Sequence, residues 1–151
     1  MTKAEKRVQL AQNLLDNKFL MKKLTFGTML NGIGVPYMKG EKLADVLPKM
    51  DIEACLVGAL VLTALLNTNY KPSGDVWLNL SICEAEAIAL KYFSFKQLRL
   101  IEIAFECGRG YYEAETSEEL RAEKAYSKLN IQNRAKKILS NIIGNSGTFI
   151  V

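Results

Sequence analysis

Glu102 and Glu106 stand four residues apart, and carboxylates at that spacing share one helix face, where they can hold a divalent cation or a common proton. A di-iron helical site would also need Glu-x-x-His from two helices, and the chain has no histidine. The same absence removes the usual general base, the commonest metal ligand and most hydrolytic triads. Arg99, Glu102, Glu106 and Arg109 alternate in sign along one stripe, the pattern of a solvated face carrying i,i+3 and i,i+4 pairs. The sequence favours that solvated face over a site.

Cys55, Cys83 and Cys107 are spaced by 28 and 24 residues, which fits no zinc or redox motif. Their odd number and apolar surroundings argue for free thiols in a reducing compartment. A small ligand near Cys55 and Cys83 ranks last among the functional readings, because neither thiol has an activating base beside it. No phosphate-binding Gly-Lys-Ser/Thr loop exists. Gly32-Ile-Gly34 lacks a third glycine, so a dinucleotide fingerprint fails, and Gly108-Arg-Gly110 reads better as a helix stop. The expectation is no catalytic residue, no cofactor, no metal site and no enzymatic activity.

The last third segregates charge. Seven acids lie between Glu102 and Glu123, whereas from Lys124 onward there are five basic residues and no acid. In the final helix Ile131, Ala135, Ile138, Leu139 and Ile142 are expected inside. Gln132, Asn133, Arg134, Lys136, Lys137, Ser140 and Asn141 are expected to face water, where Arg134, Lys136 and Lys137 could meet phosphates. Basic residues near a helix C-terminus also simply complement its dipole. Tyr111-Tyr112, Tyr70 and Trp77 suit a protein interface, since aromatics bury much area at small entropy cost. Trp77 and Tyr112 fit a core equally well.

These residues need a scaffold, and 151 residues with 49% hydrophobic and 24% charged content suit one compact domain over 1–151. The net charge of +4 permits an acidic partner without requiring one. The longest apolar stretch, Ala54 to Leu66, is too short to cross a bilayer, and the first residues lack a signal-peptide core. A cytoplasmic protein with no membrane contact is the expectation.

Helix starts recur. Thr2…Glu5, Ser81…Glu84, Ser94…Gln97 and Thr116…Glu119 have capping-box spacing, in which hydroxyl and carboxyl (or amide) each satisfy the other's backbone N–H. Asp51 and Asn130 are plain caps for two more. The spacing predicts helices over 3–16, 41–46, 52–66, 82–92, 95–107, 117–129 and 131–143. It leaves 18–30 as a short β-hairpin or a distorted helix, and 67–75 as a surface loop. Ile52–Leu66, apolar all round, belongs at the centre of the fold, with Ala54 and Gly58 admitting a close neighbouring helix. Thr148–Val151 is apolar enough to pack on the body. The fold class is therefore mainly α, a single compact multi-helix domain with at most one short hairpin.

Glu53–Leu62, Lys91–Leu98, Ile101–Glu106 and Lys137–Phe149 together resemble a family of small uncharacterised bacterial and phage proteins ending in an NII-x-N-x-GTF pattern. Such members commonly finish with Pro where Ile150 or Val151 stands here. The resemblance implies a helical single-domain unit and a mobile-element setting, and it carries no catalytic residue. The leading functional expectation is a non-enzymatic interaction module, a phage-associated accessory or inhibitor protein that binds a protein partner. A homodimer through Tyr111 and Tyr112 is its corollary. The alternative is nucleic-acid binding through the basic face of the last helix.

Overall fold

The computed structural model describes residues 1–34, 41–68 and 82–151. Among these the chain is mainly helical, with one small antiparallel sheet. Helix α1 (Lys3–Asp16) begins at the Thr2–Glu5 capping box: Glu5 N–H donates to Thr2 Oγ1 at 3.1 Å and Thr2 N–H to Glu5 Oε2 at 2.7 Å. The 18–30 segment is not a hairpin. Asn17 caps a one-turn helix α2 (Lys18–Lys22), and the chain then turns until β1 (Leu30–Gly34) begins. Asn17 accepts from Leu20 N–H at 3.0 Å, a cap that stops α1 and starts α2 at one residue.

After the short α3 (Leu43–Val46) and a 3-10 turn (Leu47–Lys49), β2 (Met50–Ala54) pairs with β1 in the register Leu30↔Ala54 to Gly34↔Met50. The expected 52–66 helix is thus two elements. Met50, Ile52 and Ala54 alternate inward while Asp51 and Glu53 are exposed, so the period is two, and Asp51 is a strand residue instead of a cap. Helix α4 (Leu56–Leu66) follows at once, with Leu56 through Leu65 all buried. Each such Leu or Val contributes about 1.5–3 kcal/mol through removal from water.

Helices α5 (Ile82–Ala89), α6 (Phe95–Glu106), α7 (Ser117–Tyr126) and α8 (Ile131–Gly144) complete the order. Helix α4 is the hub, contacted by α1, α3, α5 and α6, while α8 packs on α1 and α6. Thr116 and Glu119 form a full capping box on α7, and Asn130 caps α8 through Asn133 N–H. Ser94 caps α6, but Gln97 does not reach back to it; its amide goes to the C-terminal segment. There Phe149 is buried, as its apolar character predicts, while Ile150 is half exposed. No helix among the described residues is long and apolar enough to cross a membrane. Tyr70, Trp77, the Ser81 cap and most of the 67–75 loop lie outside the described residues.

Candidate functional site

The close approach that Ala54 and Gly58 were expected to permit is taken by backbone, not by a helix. A Cβ on Gly58 would sit 1.5 Å from the Met29 carbonyl oxygen. Cys55 N–H donates to Thr28 O at 2.6 Å, and Thr25 N–H to Ala54 O at 2.8 Å, so the segment before β1 lies sealed against the start of α4. Phe26 anchors that segment from the other side. Its ring lies 5.2 Å from Phe105, and the Arg109 and Arg134 guanidinium carbons stand 4.9 and 4.8 Å from its centroid.

Gly27, Thr28 and Met29, held in this way, form one wall of a cavity of about 520 Å³. The floor is Val57 of α4 and Cys55, which caps that helix, and α5 contributes Ile82 and Glu86. Helix α6 presents Phe95, Leu98, Arg99, Glu102 and Glu106, and the chain beyond it adds Gly110, Tyr111 and Tyr112. Gly110 is needed there, because a Cβ would lie 2.6 Å from Glu106 Cγ. Tyr111 is 91% exposed, and Phe95 and Ile82 are also exposed, so these three edge the mouth.

The solvated acidic stripe is overturned. Glu106 is buried, and its Oε2 accepts from Gly27 N–H at 2.8 Å. Burial raises its carboxyl, while that hydrogen bond, Arg134 and Arg109 oppose the shift. Glu102, one turn earlier, has no hydrogen-bond or ion-pair partner among the described residues. Burial foremost, then Glu106 and Glu86, pushes its carboxyl up to about 7. Arg99 does not neutralise it. That guanidinium donates from Nε to Glu119 Oε2 at 2.6 Å and from Nη2 to the Glu113 carbonyl at 2.8 Å. Its planar face lies 4.9 Å over the Tyr112 ring. Glu119, hydrogen-bonded by Arg99 and also accepting from the N–H groups of Glu115 and Thr116, is held down at about 2.

The thiol on the floor is inert. Burial pushes Cys55 up to about 12, and Glu102 and Glu106 push the same way, so it is a packed neutral group that also accepts from Gly58 N–H at 3.5 Å. Cys83 is exposed and does not line the cavity, so the two cysteines are not brought to one site. No group of three or more acidic or cysteine side chains among the described residues converges closely enough for a metal ion.

Of the residues expected on a basic face, Lys136 and Lys137 are exposed, with Lys137 Nζ 4.9 Å over the Tyr126 ring. Arg134 is not on that face. It is buried and donates to the Phe105 carbonyl at 2.6 Å, Ser127 at 3.2 Å and Leu129 at 2.9 Å. A wheel drawn on α8 sends it outward; the open carbonyls at the ends of α6 and α7 draw it in. Tyr111 and Tyr112 do come together, edge-on at 5.2 Å, and Tyr112 meets Phe95 edge-on at 6.0 Å. Glu86 and Leu98 are candidates that sequence reasoning missed, and Glu102 is one that it weighed and set aside as part of a solvated face. The sequence shows Leu98 and Glu106 at i−4 and i+4 of Glu102 and one cation, Arg99, at i−3, which the fold turns to Glu119 and Glu113.

No protein-family model, no curated protein and no solved structure matches the chain.

Proposed function

We propose that the chain is a binding protein that takes up a small organic molecule in the cavity between the Gly27–Met29 wall, α4, α5 and α6. The supporting observation is a space of about 520 Å³ whose apolar lining and aromatic edge surround the Glu102 carboxyl, which has no hydrogen-bond or ion-pair partner among the described residues. That volume falls in the range of about 300–1,000 Å³ typical of ligand pockets, and apolar lining with few polar groups is their usual composition. Binding is favoured over bond-making because the Cys55 thiol is held protonated by burial and Arg99 is already committed to Glu119. The test is methyl NMR with a fragment mixture: shifts concentrated on Met29, Val57 and Leu98 support the reading. Shifts confined to distant methyls such as Leu43 and Val46, or no shifts, would refute it.

A second reading is docking of a protein partner on the mouth of the same cavity, favoured by the exposure of Tyr111, Phe95 and Ile82 side by side. Self-association through Tyr111 and Tyr112 is its simplest form. Light scattering on the wild type and Tyr111→Ala separates the cases: a dimer lost in the variant supports it, and a monomer in both rejects self-association.

A further inference from the structure

The charge around the cavity is one-sided, and this fixes the class of molecule it suits. Among the described residues, Glu86, Glu102 and Glu106 line it against one cation, Arg99, whose Nε and Nη2 are turned to Glu119 and Glu113. Glu106 has one oxygen on Gly27 N–H, whereas Glu102 meets no donor among the described residues. An anion entering here faces three carboxyls and a guanidinium with its best donors occupied. A neutral molecule can offer Glu102 only an uncharged hydrogen bond. A compact cation supplies what is missing, because an ammonium N–H donated to a carboxylate at low dielectric is among the stronger hydrogen bonds available. The dispersed carboxyls do not suit a bare metal ion, which needs several oxygens at short range. Among the acids, Leu98, Val57 and Met29 offer apolar contact, and Tyr112 offers an aromatic ring.

We infer that the cavity's ligand is a small organic amine, bound as its ammonium form on Glu102, with an apolar or aromatic body against Leu98 and Tyr112. This rests on the cavity being a ligand site, and it adds the chemical class. Glu102 is the binding residue, Glu106 fixes the Gly27 wall, and Glu86 adds negative charge from α5.

Calorimetry with three probes of like size tests it: 2-phenylethylamine, 2-phenylethanol and 3-phenylpropionate, each on the full chain. The amine should bind at least about tenfold more tightly than the alcohol, the worth of one charge-assisted hydrogen bond, and the carboxylate should bind weakest. Glu102→Gln should cost the amine about tenfold and leave the alcohol unchanged. A thermal melt confirms that the variant is folded, as expected when a half-buried acid becomes a neutral amide. If the alcohol or carboxylate binds as well as the amine, the cavity is a site but the amine assignment is wrong. If none of the three binds, both readings fall.

Discussion

Glu102 and Glu106 occupy the same face of one helix, one turn apart, yet only Glu106 has a donor: Gly27 N–H lies 2.8 Å from its carboxylate, and Glu102 has none among the described residues. This asymmetry makes Glu102 the group that a ligand can satisfy. It also sets a pH dependence. Glu102 is pushed up to about 7 and must lose its proton to hold an ammonium, with Glu86, Glu106, Arg99, Tyr111, Tyr112 and Cys55 as the other ionisable groups lining the cavity among the described residues. Affinity for 2-phenylethylamine should therefore fall about tenfold per unit as pH drops below about 7 and level off above it. Calorimetry across that range checks this, and the slope should vanish in Glu102→Gln.

The same group affects the stability of the empty protein with the opposite preference. A carboxyl raised in the folded state holds its proton there more tightly than in the unfolded chain. Its stabilising contribution is complete below the ordinary carboxyl range and is lost as pH rises through about 7. From about pH 5.5 to pH 8, wild type should lose about 2 kcal/mol relative to Glu102→Gln. Urea unfolding of both proteins at the two pH values measures the difference.

Gln97 binds the backbone of Phe149 from both sides, accepting from its N–H at 2.7 Å and donating to its carbonyl at 3.0 Å. Asn141 does the same to Ile150, at 2.9 and 2.6 Å. Two side-chain amides thus replace a neighbouring strand for the C-terminal residues. Gln97→Ala should destabilise by about 1–3 kcal/mol and expose the Phe149 amide to hydrogen exchange before global unfolding. Phe149→Ala should cost more, about 3–5 kcal/mol, because the ring is fully buried against Tyr126.

Two glycine replacements should act in opposite directions. Ala is ordinarily the better helix residue by about 0.8–1 kcal/mol. At Gly144, the last residue of α8, a new Cβ meets nothing within 4 Å, so Gly144→Ala should stabilise. At Gly58 it would overlap the Met29 carbonyl, so Gly58→Ala should destabilise and displace the cavity wall. Thermal melts of the pair, with 2-phenylethylamine binding as a second readout, check both.

Arg134→Ala strands three carbonyls and removes a cation from Phe26, so it should cost about 2–4 kcal/mol. Lys136→Ala and Lys137→Ala, both on exposed positions, should each stay within about 0.5 kcal/mol. Denaturant unfolding of the three variants distinguishes a structural arginine from a free basic face.

Local chemistry was the legible part of this sequence. The hydroxyls of Thr2, Ser94 and Thr116 and the Asn130 amide cap the helices their spacing predicts, since a cap needs only the next three residues. The polar face of α8 was less legible: Arg134 faces inward because of carbonyls contributed by Phe105, Ser127 and Leu129, and no periodicity within α8 encodes them. The split of 52–66 into β2 and α4 was hidden because Ile52–Ala54 runs straight into the apolar helix, and the strand exists only through its pairing with Leu30–Gly34. The cavity was the least visible feature. Glu102 and Glu106 look like surface acids until Gly27, 79 residues from Glu106, supplies the wall against which Glu106 is buried and Glu102 half-buried.

A crystal structure of the chain with 2-phenylethylamine is the most direct test. The account predicts the ammonium nitrogen at about 2.7–2.9 Å from a Glu102 carboxylate oxygen, the usual length of a charge-assisted contact, with the ring between Leu98 and Tyr112. An amine seated instead on exposed acids such as Glu113 and Glu115, or lying in the cavity with its nitrogen turned away from Glu102, would contradict it.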